Sequence, residues 1–107
     1  MVIIGTAIFT RHIRDLMSDV EYSILQEALV FRPDMGVLIQ GAGGLRKVRW
    51  KLEGKGKSGG VRIIYYWKTE DDQIYMLFVY PKSEQENLTS EQKKALKQIV
   101  ERWSDEK

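Results

Sequence analysis

Apolar residues recur along this chain at two different spacings, and each change of spacing marks a boundary between elements. "VIIGTAIF", residues 2–9, is a β-branched run that predicts a first strand, with Gly5 as a bulge. "TRHIRDLM" then allows a brief helix from Thr10. In "SDVEYSILQEALVFRP", Val20, Ile24, Leu25, Ala28 and Leu29 repeat at helical intervals, and Ser18 and Glu21 have the spacing of a capping box. Pro33 stops this helix, because proline disfavours helical dihedrals in Arg32 and has no N–H to donate. "DMGVLIQGAGG" reads as a loop crossing back towards a sheet. Three strand-like runs follow, "LRKVRWKL", "VRIIYYWK" and "IYMLFVY", joined by glycine-rich and acidic turns. A last helix, "LTSEQKKALKQIVERW", has Thr89 and Gln92 at capping-box spacing and a stripe of Leu96, Ile99, Val100 and Trp103.

The predicted order is therefore β-α-α-β-β-β-α. Short connections make the last three strands an antiparallel meander, and the fold class is α+β with an antiparallel sheet and helices packed on one face. A length of 107 residues, 43% of them apolar, is enough for one domain, residues 1–107, with a single core. Trp50, Trp67 and Trp103 are expected to pack in that core or against the sheet rather than to stack on a ligand.

Composition removes several chemistries. With no cysteine there is no disulfide framework, thiolate nucleophile or cysteine-bound zinc. The apolar runs fall far short of the ~20 residues of a membrane span, and the start lacks a charged leader, so the expectation is a cytoplasmic chain with no membrane partner. His12 is the only histidine, so the imidazole pair of many metal-free ribonucleases cannot exist here, and it is expected to be an ordinary boundary residue. Neither "GAGG" nor "GKGKSGG" has the spacing of a nucleotide-binding P-loop. The acidic "EDD" at 70–72 lies in a turn with no other ligand near it in the sequence, so no metal or other cofactor is expected.

Charge is informative only when the chain is cut into blocks. The net +2 conceals −2 over residues 1–44, +7 over 45–68 and −3 over 69–107. A middle third this basic attracts polyanions. Strand alternation sorts its charges: Lys47, Arg49 and Lys51 share one face, and Val48, Trp50 and Leu52 the other. Arg62 is the lone charge inside an apolar run, and such a cation either reaches an edge or faces an anion. If the hairpin register sets Arg62 on the Lys47/Arg49 face, these cations converge with Lys55 and Lys57 of the glycine-rich loop, whereas a slip of one residue would separate them. An ordinary hairpin loop with solubilising charge would carry the same two lysines.

A convergent cationic face suits phosphodiester cleavage in RNA, where the substrate's own 2′-hydroxyl attacks and neither metal nor protein nucleophile is obligatory. Arginine clamps the phosphate, and a lysine crowded by other cations loses basicity until it can accept a proton near neutral pH. Arg46, Lys55 and Lys57 are candidate RNA-binding cations, and Tyr66 and Tyr80 candidate stackers for an unpaired base.

The combination "QGAGGLRKVRWKLEGKGKSGGVRIIYYW" and "YMLFVYPKSEQENLTSEQKKALKQIV" resembles the HigB branch of the RelE/ParE toxin superfamily, over nearly the whole chain. That resemblance implies a RelE-like microbial RNase fold and a ribosome-dependent mRNA endoribonuclease acting in the ribosomal decoding site, close to ribosomal RNA. It also implies a cognate HigA-like helix-turn-helix antitoxin. By the same resemblance Lys47 is the general base, and Arg49 and Arg62 stabilise the transition state. Relatives carry an arginine at the end of the last strand, where this chain has Ser83 preceded by Lys82, and the C-terminal tyrosine of some relatives has no match in "QENLTSEQ". Lys82, Tyr80 or a loop lysine is left to protonate the leaving oxygen. Two other readings stay open: a ParE-like poison of DNA gyrase, and a non-catalytic RNA-binding module.

Overall fold

The computed structural model describes residues 1–52 and 60–105. Five strands and three helices follow one another as β1 (Val2–Gly5), α1 (Ala7–Leu16), α2 (Asp19–Phe31), β2 (Val37–Leu38), β3 (Leu45–Trp50), β4 (Val61–Lys68), β5 (Gln73–Pro81) and α3 (Ser90–Asp105). The sheet order is β1-β5-β4-β3-β2. The meander β3-β4-β5 is antiparallel as expected, but β1 pairs with β5 in parallel, so the sheet is mixed rather than antiparallel. The two-residue β2, paired with β3, lies inside the segment expected to be loop.

The opening β-branched run divides at Gly5, which ends β1 instead of forming a bulge. Thr6 caps α1 by accepting a hydrogen bond from the Phe9 N–H, so the helix starts three residues before Thr10. Both capping boxes form as their spacing predicts. Ser18 and Glu21 exchange bonds of 3.1 Å each, and Thr89 and Gln92 do the same at 3.0 and 3.1 Å.

Helices cover both faces of the sheet, which corrects the expectation of one. Phe9 and Ile13 of α1 and Leu25 and Leu29 of α2 pack on Val48, Val61, Ile63 and Tyr65. On the opposite face Val100, Leu96, Ile99 and Trp103 of α3 meet Leu45, Ile64 and Leu77. The physical reason is visible in β4, whose first five residues are all buried: a run apolar apart from Arg62, with no wet face, belongs to a strand covered on both sides. Of the α2 stripe only Leu25 and Leu29 are buried, while Val20 and Ile24 stay exposed. Trp50 and Trp67 pack against the first core and Trp103 against the second. Among the described residues no helix is long and apolar enough to cross a membrane.

The β4–β5 register slips between Ile64 and Tyr65: Ile64 faces Phe78, Tyr65 faces Met76, and Leu77 is extra. This bulge inverts the alternation in the rest of β5, because unbroken pairing would set Tyr80 opposite Val61 instead of Arg62. Tyr80 is thereby turned onto the α3 face of the sheet.

The turn from α2 into β2 is fixed by one buried phenol. The Tyr65 hydroxyl donates to the Pro33 carbonyl (2.7 Å) and accepts from the Gly36 N–H (2.8 Å), and a Cβ on Gly36 would lie 2.7 Å from the Tyr65 ring. Tyr65→Phe should leave both backbone groups unpaired and lower stability by about 1–3 kcal/mol, read as a lower urea midpoint with an unchanged slope.

Candidate functional site: a cation cluster closed by a carboxylate

Cross-strand pairing places Arg49 of β3 directly opposite Arg62 of β4, with Lys47 paired to Ile64 two residues along. Leu45, Lys47 and Arg49 alternate onto the α3 face, as do Arg62 and Ile64, so three of the four expected catalytic cations share one side of the sheet. Lys51 follows β3 and is exposed.

Like charges directly opposite one another destabilise a sheet unless an anion joins them. Glu86, in the segment between β5 and α3, supplies that anion. One carboxylate oxygen accepts from Arg62 Nη2 at 2.7 Å and the other from Arg49 Nη2 at 3.0 Å. Lys47 Nζ donates to Asn87 Oδ1 at 2.6 Å and, more weakly, to the Glu86 carbonyl at 3.5 Å. The Tyr80 hydroxyl donates to the same carbonyl at 3.3 Å. Two consecutive residues thus engage four functional side chains drawn from three adjacent strands.

The cations differ in setting. The Arg62 side chain is only 7% exposed, whereas that of Arg49 is 65% exposed. Arg62 is not fully satisfied: its Nε has no partner, and Nη1 reaches only the Val61 carbonyl at 3.5 Å. A buried guanidinium with unspent donors has capacity for a second acceptor. Burial, then the charge on Arg49, push the Lys47 ammonium below its usual value, with Arg62 adding to the effect and Glu86 opposing it. Burial raises the Tyr80 phenol, which therefore keeps its proton at neutral pH.

Of the remaining expected residues, Lys82 and the Tyr80 hydroxyl lie at the β5 end of the cluster, and the others are dispersed. Lys82 stands at the end of β5, where its N–H donates to the Gly60 carbonyl at 2.9 Å, and its side chain passes the same side of Gly60 as Arg62 Nη1. Arg46 lies on the opposite face, its guanidinium donating to the carbonyls of Gly36 (2.8 Å) and Asp34 (3.3 Å); strand alternation separates it from Lys47 and Arg49. The Tyr80 ring is 2% exposed and offers no face to a base, although its hydroxyl reaches the site. Tyr66 packs with the α3 cluster four residues beyond Arg62, roughly 13 Å along the strand, so it lies at the Lys47 end of the cluster, away from the two arginines. Lys55 and Lys57 fall outside the described residues.

His12 is half-buried and lines a cavity of about 320 Å³ with Asp15, Tyr80, Gln85 and Gln92; none of Lys47, Arg49 and Arg62 lines it. The acidic 70–72 segment forms a 3-10 turn in which Asp71 pairs with Lys68 at 2.9 Å, while Asp72, at φ 53, pairs with the N-terminal amine at 3.5 Å.

Sequence reading missed Glu86 and Asn87. Neither sits on a periodic element, and the cations they bind are 24 to 40 residues away in the chain. The available signal was Arg62 itself, an apolar-strand cation in need of an anion.

A family model described as "RelE toxin of RelE / RelB toxin-antitoxin system" matches residues 1–107. Among solved structures, the chain is similar to a doubly substituted E. coli RelE in the free state, with 16% identity, 92% of this chain and 96% of that one covered, and a TM-score of 0.60. It is also similar to the isolated E. coli RelE toxin, at 17% identity, 92% and 97% coverage and a TM-score of 0.54. The intact E. coli RelBE toxin–antitoxin complex matches at 16% identity, 75% and 94% coverage and a TM-score of 0.54.

The hydrogen bond from Arg62, followed by the charges and donors of Arg62 and Arg49, holds the Glu86 carboxyl below its usual value despite an opposing desolvation effect. A carboxyl depressed on folding contributes stability that is fully present above its unfolded pKa and lost as pH falls through the folded one. Glu86→Gln should therefore be less stable than the parent chain at pH 7. That gap should shrink as pH is lowered from about 4.3, as measured by urea denaturation of both chains across the range.

Proposed function

The chain belongs to the RelE toxin family, and from that membership we propose that it is a ribosome-dependent mRNA endoribonuclease of the HigB-like kind. The observation that carries this reading is the convergence of Arg49, Arg62 and Lys47 on one anionic patch, with the two arginines sharing a single carboxylate. A phosphodiester replacing Glu86 has two non-bridging oxygens to offer the same pair of guanidinium groups. The buried Arg62 Nε has no partner in the resting site, so the guanidinium there is only partly compensated and can answer the additional charge that develops on those oxygens during the reaction.

In this mechanism Lys47, in its neutral form, takes the proton from the RNA 2′-hydroxyl. Its depressed basicity lowers the cost of reaching that form. The 2′-oxygen attacks phosphorus, a 2′,3′-cyclic phosphate forms, and the bond to the 5′-oxygen of the next nucleotide breaks. That oxygen takes a proton from Lys82 or from the Tyr80 hydroxyl, the two proton donors grouped at the β5 end of the cluster. Among the loop cations, Lys55 and Lys57 add counterion-releasing contacts to the RNA backbone.

Partners follow from the family. The E. coli RelE neighbour is seen in a complex with its antitoxin; for this chain the counterpart is a HigA-like helix-turn-helix antitoxin. The substrate is mRNA held by ribosomal RNA in the decoding site, which places the activity in the cytoplasm.

Arg62→Ala should reduce cleavage by roughly 10²- to 10³-fold, and Arg62→Lys should recover only part of the loss, because an ammonium keeps the charge without the fork. Mapping mRNA ends on translating ribosomes measures both. Growth arrest by the parent chain without cuts in translated mRNA would shift the assignment to a gyrase poison, and an Arg62→Ala chain that cleaves normally would remove Arg62 from the mechanism.

A further inference from the structure

Glu86 stands where the proposed substrate phosphate has to bind. Its carboxylate bridges Arg49 of β3 and Arg62 of β4, while Lys47 of β3 and the Tyr80 hydroxyl of β5 hold the same short segment through the Glu86 carbonyl and Asn87. The carboxylate is a monoanion with two oxygens presented to two guanidinium groups, which are the charge and the shape of a phosphodiester's non-bridging edge. The segment is also anchored at both ends. The Glu84 N–H donates to the Pro81 carbonyl (3.0 Å) on one side of Glu86, and on the other the Thr89 N–H donates to Gln92 Oε1 (3.0 Å) in the first turn of α3. Between these anchors the Glu86 side chain is 47% exposed, so it can rotate into solvent while the backbone stays in place.

Resting on the anion-site reading above, we propose that Glu86 is a built-in competitor for the phosphate, and that a phosphodiester binds by exchanging with its carboxylate. The free chain then keeps its buried arginine compensated, and the apparent affinity for RNA is lowered by the fraction of molecules in which Glu86 occupies the site. Protonating Glu86 weakens its hold on Arg49 and Arg62, so acid favours the open form.

The probe is a fluorescein-labelled 2′-O-methyl RNA tetranucleotide, which cannot be cleaved, titrated by anisotropy at fixed salt. Glu86→Gln should bind about tenfold more tightly than the parent chain, roughly the worth of one charge-assisted bond. Glu84→Gln, which removes the same charge from the neighbouring loop position, should shift binding by less than twofold. Equal gains from the two variants would show a long-range field effect and overturn the proposal, as would no gain from Glu86→Gln. A second measurement uses the parent chain alone: inorganic phosphate should move the Glu86 carboxyl ¹³C titration midpoint up towards that of an ordinary glutamate. An unmoved midpoint at phosphate concentrations that perturb the Arg49 and Arg62 resonances would also overturn it. Binding that is indifferent to Arg62→Ala would instead count against the nuclease reading itself.

Discussion

Two guanidinium groups held face to face across a pair of strands are the constraint around which this end of the molecule is arranged. The β3–β4 register sets Arg49 opposite Arg62, and nothing in the sheet itself compensates them. Arg62 is the sharper problem, because its side chain is nearly excluded from water in the midst of an apolar strand. Removing a charge from water costs several kcal/mol unless a partner is fixed beside it. The Glu86 carboxylate at 2.7 Å is that partner, and the exposed contact to Arg49 adds little stability of its own. The loop between β5 and α3 is therefore held across the sheet by electrostatic need as much as by packing.

The rest of the fold explains why the cations remain accessible to an anion at all. The first core, under α1 and α2, consumes one complete face of the central strands. On the other face α3 covers the Leu45, Ile64 and Tyr66 end. It begins only at Ser90, after the connection carrying Glu86 has crossed the Arg49–Arg62 end. The bulge in β5 completes the arrangement. By advancing the register one residue it turns Tyr80 away from α1 and α2 and aims its hydroxyl at Glu86. A local backbone irregularity thus decides which side of the sheet holds a proton donor.

Much of this was legible in the residue pattern, and the failures have physical causes. Alternation in "LRKVRWKL" separated Lys47 and Arg49 from Val48 and Trp50, and capping spacing located the starts of α2 and α3, because both signals are local. The same alternation sets Arg46 on the face opposite Lys47, where it holds the Asp34 and Gly36 carbonyls. The run "VRIIYYW", apolar apart from Arg62, likewise points to burial on both faces, which helices on one face alone do not provide. The parallel β1–β5 pairing joins residues some seventy positions apart, and the bulge depends on how β4 and β5 meet, so neither leaves a local trace. Glu86 is the most instructive omission. Its role comes from three-dimensional proximity to two strands, and a loop carboxylate among other loop carboxylates has no pattern of its own.

Charge balance explains how one site can hold a glutamate and still favour a reaction. Lys47, Arg49 and Arg62 outnumber the single carboxylate between them, and Arg62 retains an unpaired Nε–H. A phosphodiester in the ground state carries the same single negative charge as Glu86, so the exchange of one for the other is nearly neutral in Coulombic terms. As the 2′-oxygen bonds to phosphorus, charge accumulates on the non-bridging oxygens, and only then does the anion match a site with more than one cation. The advantage over the carboxylate therefore grows along the reaction coordinate, and interactions strengthened in the transition state are the ones that accelerate chemistry. In the proposed cleavage, ground-state binding of the substrate is weakened by this competitor, while the transition state alone has the additional charge needed to engage the cations that Glu86 leaves under-compensated.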